Sequence, residues 1–432
     1  MSFNIGSADY NILLLLITLT VVVGLISLKL IKESIFRVVA IFMLFSVFMY
    51  SGYGISYSKI DNSYIAKYVV YIIALVIPLI IVGRKKKNVI LQKESNIDKC
   101  LINHYATLKR LTVLYFVMLF IPLVYPEFRL FDLFIYGGGI TDSFYDDRNM
   151  YKANQLITLV DMLVIFLRPF FFAYLVIYKQ KKTGNYWPTI LFALTILMAF
   201  MRYRYFGRYQ MLVYGTELYI LTFGIKGFRL HLPKKHILAI VGILIAFIPL
   251  LYAYTYTRIG AVVENLSLGK SLELLIESEV YYPMWYDHIL NSGFIKGQSA
   301  ALFILWLICL PIPSFIWPSK PKISADEFTY SITGKRYTDA GYSSFLPSAM
   351  GEGFMFFGED FYWIHALIIG LVTALVLRYL IKHKTMAFYV AVTLITTLII
   401  GRGGAGSFIP PLVNGVMPII IMSYYLRPLV SR

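Results

Sequence analysis

The run from Asn11 to Leu28, NILLLLITLTVVVGLISL, decides the fold class, because its 18 residues include no charged side chain. A helix needs about 20 predominantly apolar residues to cross about 30 Å of hydrocarbon. Ile65 to Val82 and His236 to Tyr254 are runs of the same kind. Lipid cannot hydrogen-bond an exposed backbone, so these runs are expected to be helices. The sequence therefore predicts an all-α integral membrane protein.

The composition of the 432-residue chain fits this class, with 59% hydrophobic and 15% charged residues. The two cysteines, Cys100 and Cys309, provide neither a disulfide framework nor a Cys-based metal site. The segment Met1 to Tyr10 has no positive n-region and no small-residue cleavage site, so we expect the first helix to be retained.

Apolar runs at similar intervals predict about 11 transmembrane helices in a single polytopic membrane domain over 1–432. Their expected ranges are 11–28, 36–53, 65–82, 111–126, 155–178, 187–202, 208–224, 236–254, 361–380, 386–401 and 409–426.

Positive charge is concentrated in alternate connectors, which predicts the orientation of the chain. Six connectors hold 23 of the 40 Lys and Arg and three of the 23 acids, which gives +20 there and −3 elsewhere. They cover 29–37, 84–110, 179–182, 226–235, 378–384 and 427–432. By the positive-inside rule they face the cytoplasm, with the N-terminus outside and the C-terminus inside. The same distribution explains the net charge of +17 without nucleic-acid binding.

The run 300–317 is treated separately, because a full crossing there would reverse the predicted side of 378–384. Pro311 and Pro313 also interrupt it, so a re-entrant or interfacial helix is predicted, and one full crossing is the alternative. The substantial extracytoplasmic loops are then 127–154 and 255–363.

Arginines collect at three predicted outer helix ends. They are Arg202, Arg204 and Arg208 in one turn, Arg258 after the helix that ends near 254, and Arg402 in a glycine-rich turn. A guanidinium offers a planar fork for phosphate oxygens, so a pyrophosphate at the membrane surface is the ligand that these residues favour. Headgroup anchoring and salt bridges to outer acids are the alternatives for any one of them.

Two glycine-rich segments accompany the arginines. Backbone N–H groups of Gly401 to Gly406 could cradle an anion, or the segment could be only a tight turn. Glu352, in Gly351-Glu-Gly-Phe-Met-Phe-Phe-Gly358, precedes a predicted outer helix and is the candidate general base, with a solvated loop carboxylate as the alternative.

Charged residues also occur inside predicted helices. Asp161 and Arg168 are seven positions apart, and Glu217 lies in another helix, which favours internal pairing or a polar cavity. His288 and His365 are the only outer histidines and have no metal-ligand spacing, so we expect no metal or other cofactor.

The motifs together resemble the Wzy-type oligosaccharide repeat-unit polymerases, the O-antigen or capsule polymerases of bacteria. They are Arg258 with Gly269 after ten intervening residues, Pro311 to Pro321, Gly351 to Gly358, and Gly401-Arg-Gly-Gly404. The chain departs from the family pattern in the proline-flanked motif, where Ser314 stands at a position expected to be basic. The resemblance in topology covers nearly the whole chain.

The resemblance implies a GT-C-like, metal-independent glycosyltransferase of the bacterial plasma membrane. It would transfer a growing glycan from undecaprenyl pyrophosphate to a second lipid-linked repeat unit, with a chain-length regulator as a further partner. Such a reaction needs cations for the departing pyrophosphate and a base for the sugar hydroxyl. The candidate contacts are Glu352, Arg258 and Arg402 as catalytic residues, with Arg202, Arg204, Arg208, Lys320 and Lys322 as substrate contacts.

Two other functions remain open on the sequence. An O-antigen ligase would share the lipid-linked donor but use a different acceptor. A polysaccharide or lipid-carrier flippase would place polar groups at the bilayer midplane in broken helices and often shows paired repeats.

Overall fold

The computed structural model describes about half of the chain. The described residues are 9–56, 63–84, 104–124, 155–181, 186–202, 218, 221–222, 225–226, 229–230, 282–296, 298–309, 312, 317, 319–321, 324–336, 339, 345–382, 401–406, 408–409 and 418.

The regular secondary structure of these residues is helical apart from one antiparallel pair of two-residue strands. The first six helices are α1 (Tyr10–Leu30), α2 (Ser34–Val47), α3 (Ser63–Gly83), α4 (Tyr105–Val124), α5 (Gln155–Lys181) and α6 (Trp187–Arg202). The strands β1 (Ile225–Lys226) and β2 (Arg229–Leu230) follow. After them come α7 (Trp285–Asn291), α8 (Gly293–Lys296), α9 (Ala300–Cys309), α10 (Ser324–Thr333) and α11 (Ser348–Lys382).

Three helices among the described residues are long and apolar enough to cross a membrane: α1, α3 and the Ser348–Tyr379 part of α11. On α1, large apolar side chains such as Leu14 and Leu25 are exposed, as expected of a lipid-facing helix. Helix α9 has 10 residues, which corresponds to about 15 Å, or half the hydrocarbon thickness. Beyond Cys309 the run 300–317 is described only at Ile312 and Trp317, so its re-entrant or interfacial nature stays a prediction.

The helices predicted at 11–28, 36–53, 65–82, 111–126, 155–178 and 187–202 coincide with α1 to α6 within several residues. In the second of these, α2 continues through a π turn at Phe48–Gly52 to Ile55. The helices predicted at 208–224, 236–254, 386–401 and 409–426 lie mostly or wholly outside the described residues, as does the loop 127–154. The total of 11 crossings therefore stays a prediction.

The chain divides into two compact units. The first comprises 1–90, 273–379 and 394–411, and the second comprises 91–272, 380–393 and 412–432. This division concerns packing alone, so the single membrane domain also stays a prediction.

In the first unit, α3 contacts both α1 and α11. The Asp9 carboxylate caps α1 by accepting from the Asn11 N–H at 2.9 Å. The hydroxyls of Thr20 and Tyr68 are 2.8 Å apart and connect α1 to α3. Where α3 crosses α11, a Cβ at Gly370 would lie 2.2 Å from the Leu75 carbonyl oxygen, so only glycine permits this approach.

Helix α11 folds back on itself at Gly358, which has φ 73° and ψ −176°. Residues 352 and 365 would be about 20 Å apart along a straight helix. Their side chains instead meet at 2.7 Å, and the rings of Phe354 and Tyr362 are 4.9 Å apart. The first arm covers 348–357, and the second arm, 359–382, has a length of about 36 Å.

The start of this helix corrects the sequence prediction. The helix was expected from 361, with Glu352 in the loop before it, but α11 begins at Ser348 and Glu352 lies inside its first arm. Glycines at 351, 353 and 358 disfavour an isolated helix, so local sequence alone does not predict one there. Packing of the first arm against the second overrides that local preference.

In the second unit, aromatic rings connect α4, α5 and α6. The rings of Tyr115 and Phe171 stack 4.9 Å apart, and those of Phe171 and Phe192 stack 6.2 Å apart. The ammonium group of Lys179 on α5 donates to the Thr222 carbonyl at 2.7 Å.

Candidate functional site

The most unusual polar group among the described residues is the Glu352 carboxylate, which is completely buried in the first unit. Its Oε2 accepts from the Ala405 N–H at 2.5 Å, and its Oε1 accepts from the Gly406 N–H at 3.2 Å. His365 Nε2 lies 2.7 Å from the same Oε2. A buried charge is costly unless it is paired and hydrogen-bonded, and these donors meet that requirement.

His365 connects Glu352 to helix α3. Its Nδ1 lies 2.9 Å from the Tyr71 hydroxyl, which is also 3.0 Å from the Ala349 carbonyl oxygen. The Phe303 ring, with its centroid 5.2 Å from that of the imidazole, covers another side. His365 is itself completely buried. Among the described residues, the imidazole therefore forms its hydrogen bonds in a closed, largely aromatic environment.

The hydrogen bonds limit where the protons lie. Backbone N–H groups only donate, so Glu352 is best served as an ionised acceptor, with the His365 Nε2–H donating to it. The Tyr71 hydroxyl has one proton and two neighbours. It either donates to Nδ1 of a neutral imidazole, or donates to the Ala349 carbonyl and accepts from Nδ1–H of an imidazolium. The two arrangements differ by one proton and use the same heavy-atom positions.

The glycine-rich segment 401–406 is a helical turn that closes tightly on two other elements. Gly404 has φ 56°, and a Cβ there would lie 2.1 Å from Glu352 Oε2. The Gly401 N–H donates to Ser46 Oγ at 2.8 Å, and a Cβ at Gly401 would lie 2.0 Å from the Ser46 carbonyl oxygen. The predicted anion cradle is thus occupied at two of its N–H groups by an internal carboxylate.

Arg402 lies in this turn with its side chain half-buried. Its Nε donates to the Tyr282 hydroxyl at 2.9 Å. The ring of Tyr282, at the start of the short 3₁₀ turn Tyr282–Met284, packs edge-on against Tyr50 with centroids 5.6 Å apart. The guanidinium is therefore oriented by an aromatic hydroxyl that is itself packed in place.

Three buried hydroxyl groups lie at the start of α11. Ser348 has φ 67°, a rare conformation for a residue other than glycine, and its Oγ accepts from the Gly351 N–H at 3.2 Å. The Ser348 Oγ is 3.3 Å from the Tyr286 hydroxyl and 3.4 Å from the Ser51 Oγ. Burial raises the pKa of Tyr286 to about 12, so its hydroxyl stays protonated near neutral pH.

The remaining predicted site residues are only partly described. Lys320 Nζ donates to the Ile312 carbonyl at 2.8 Å, and burial lowers the pKa of the Lys320 ammonium. Arg202 ends α6, but its side chain lies outside the described residues. Arg204, Arg208, Arg258 and Lys322 lie wholly outside them. Of the predicted arginines, the site as described contains Arg402.

The charged residues predicted inside helices are also only partly described. Arg168 is half-buried in α5 and has an interaction partner. The side chain of Asp161 and the whole of Glu217 lie outside the described residues, so their pairing stays a prediction.

Sequence reasoning considered His365 only as a metal ligand and did not connect it to Glu352. The two residues are 13 positions apart, a spacing that places them on no common face of a straight helix. Gly358 between them was the available signal, because a glycine within a helical run permits a reversal of the chain. In the part of the chain that the structure describes, no three His, Cys, Asp or Glu side chains are grouped as a metal site.

Chemically, the site combines a fixed guanidinium, a buried acid–base pair and a cluster of hydroxyls. The guanidinium can bind an anionic oxygen, whereas the acid–base pair can hold a proton and fix the backbone around it. Comparison with known family models, curated proteins and solved structures gives no match to this chain.

Proposed function

We propose that the chain is a membrane glycosyltransferase that polymerises lipid-linked oligosaccharide repeat units. It would act at the outer leaflet of the bacterial plasma membrane and transfer the growing glycan from undecaprenyl pyrophosphate to a second lipid-linked unit. The proposal includes the 11-helix, GT-C-like arrangement with the N-terminus outside. Its supports are the apolar helices, the charge asymmetry of the connectors and the resemblance of the motifs to Wzy-type polymerases.

The observation that carries the proposal is the position of Arg402 on a turn with a fixed backbone. A departing pyrophosphate is stabilised best by cations that are already in place, because no reorganisation is then needed during the reaction. The Gly401 N–H donates a hydrogen bond to Ser46, and the Arg402 side chain donates one to Tyr282. At the end of the turn, the Ala405 N–H donates to Glu352.

Substitution of Arg402 tests the proposal. We expect Arg402→Ala to abolish the polymer and leave single repeat units, because the charge on the pyrophosphate would lose its partner. Arg402→Lys should recover only part of the polymer, because an ammonium cannot reproduce the planar fork. The measurements are the polymer length distribution and the amount of protein in the membrane.

Arg378→Ala is the matched control, because Arg378 is an exposed arginine on α11. It should leave the polymer length distribution unchanged. An unchanged distribution in Arg402→Ala at normal protein level would refute the assignment of Arg402.

A flippase is the second candidate, and one observation favours it. Helix α11 is broken at Gly358 and contains the buried pair Glu352 and His365, and transporters use broken helices and buried ionisable groups in this way. Deletion of the gene discriminates the functions. If single repeat units still reach the surface without polymer, the chain is a polymerase; if no glycan reaches the surface, a flippase or ligase is favoured.

A further inference from the structure

Glu352 is the point where three separate elements meet. Its carboxylate contacts the 401–406 turn, its partner His365 is on the second arm of α11, and Tyr71 connects that partner to α3. We propose that Glu352, His365 and Tyr71 form a latch that positions Arg402, and that Glu352 is a positioning residue, not the general base. The role of Arg402 in this inference rests on the proposed function.

Burial argues against direct contact between Glu352 and a sugar hydroxyl. The side chains of Glu352 and His365 are both 0% exposed. Both carboxylate oxygens already accept hydrogen bonds, and Oε2 has two donor groups within 2.7 Å. A general base must come within about 3 Å of the proton that it removes, directly or through one water. A carboxylate enclosed in this way acts on its protein neighbours.

The geometry of the turn gives this carboxylate a defined task. Gly404 adopts the left-handed conformation, and the next two N–H groups, of Ala405 and Gly406, then both point at Glu352. Successive N–H groups around such a residue form a concave anion site. Without a negative charge there, these two donors lose their acceptor, and the turn that contains Arg402 loses a backbone attachment.

His365 determines which way the carboxylate faces. Its Nε2 contacts Glu352, whereas its Nδ1 contacts Tyr71, so the two ring nitrogens have separate partners. Glutamine places an amide nitrogen near the Nε2 position, and asparagine places one near the Nδ1 position. Only His365→Gln can therefore still donate to Glu352. A residue that merely filled space would show no such difference between the two amides.

Hydrogen–deuterium exchange of the full-length protein in detergent tests the latch without any substrate. The variants are Glu352→Gln, His365→Asn and His365→Gln, and the readout is the exchange of the Ala405 and Gly406 amides. In Glu352→Gln we expect exchange to be roughly tenfold to a hundredfold faster, the effect of losing a hydrogen bond to a charged acceptor. His365→Asn should approach this value, and His365→Gln should stay closer to the unmodified protein.

Glu359→Gln is the matched control, because Glu359 is on the same helix but is 55% exposed and pairs with Lys67. It should leave the exchange of the 401–406 turn unchanged. If Glu352→Gln also leaves these amides unchanged, or if the two His365 variants behave alike, the latch is refuted.

Polymer length in cells gives the second readout. Loss of polymer in Glu352→Gln and His365→Asn, with retention in His365→Gln at equal protein level, supports the positioning role. Faster exchange with an undiminished polymer would show a latch that does not position a catalytic arginine, which overturns the proposal. If the unmodified chain makes no polymer, the proposed function fails, and the exchange data alone still decide whether the latch exists.

Discussion

Substitution of Gly404 by alanine should destabilise the protein more than its single methyl group suggests. The new Cβ would lie 2.1 Å from Glu352 Oε2, 2.8 Å from its Cδ and 3.1 Å from its Cβ. The overlap involves both the end and the stem of the glutamate, so a rotation of its carboxylate alone cannot relieve it. Either Glu352 leaves its position, or the turn moves away from it.

The cost has two parts. A left-handed conformation costs a residue with a Cβ about 1–2 kcal/mol relative to glycine. Displacement of the carboxylate breaks at least one hydrogen bond to a charged group, which contributes about 1.5–3 kcal/mol. The sum is a loss of about 2.5–5 kcal/mol in the free energy of unfolding.

Gly334→Ala separates the two parts. Gly334 has φ 67°, close to that of Gly404, but a Cβ there would have no atom within 4 Å. It should therefore show only the backbone cost of about 1–2 kcal/mol. Chemical denaturation of both variants in detergent, followed by circular dichroism, measures the difference. Equal losses in the two variants would show that the contact between Gly404 and Glu352 is absent from the folded protein.

Two further predictions concern a helix crossing and a histidine. Gly370→Ala should lower the yield of folded protein, because its Cβ would lie 2.2 Å from the Leu75 carbonyl oxygen. Gly293→Ala is the control and should leave the yield unchanged, because a Cβ there would have no atom within 4 Å. Size-exclusion chromatography in detergent compares the two variants, and equal profiles would contradict the close crossing of α3 and α11. Burial lowers the pKa of His288 from 6.5, and its Nε2 is 3.3 Å from Ser331 Oγ. The His288 imidazole therefore binds a proton more tightly in the unfolded chain than in the folded one. The free energy of unfolding should fall as the pH drops below about 6.5. His288→Gln should reduce that fall, as judged by thermal midpoints at about pH 5 and about pH 8, and an unchanged difference between the midpoints would refute the assignment.

Much of the helical framework could be predicted from local pattern. The six predominantly apolar runs between 11 and 202 coincide with helices, in which the backbone hydrogen bonds are satisfied within each segment. The start of α11 was predicted wrongly, since glycines at 351 and 353 weaken a helix in isolation. Gly353 is needed in the folded chain because a Cβ there would lie 2.8 Å from the Tyr362 carbonyl oxygen of the other arm. Only the folded-back arm explains this requirement.

The candidate site shows the same division. The sequence singled out Arg402 as a guanidinium at a predicted outer helix end, and Glu352 as a carboxylate between glycines before a predicted helix. It did not connect Glu352 with His365, because their contact depends on the reversal at Gly358. It also did not distinguish an external anion from an internal one in the 401–406 turn.

The sequence by itself determined that this chain has helices apolar enough for a membrane, since hydrophobic length is a property of consecutive residues. Only the tertiary structure decided that Glu352 accepts hydrogen bonds from residues 53 and 54 positions further along the chain. The tertiary structure also forms the hydrogen bond from the Gly401 N–H to Ser46 Oγ, two residues that are 355 positions apart. Such contacts depend on how helices pack and where the chain reverses, and no linear spacing of residues encodes them directly.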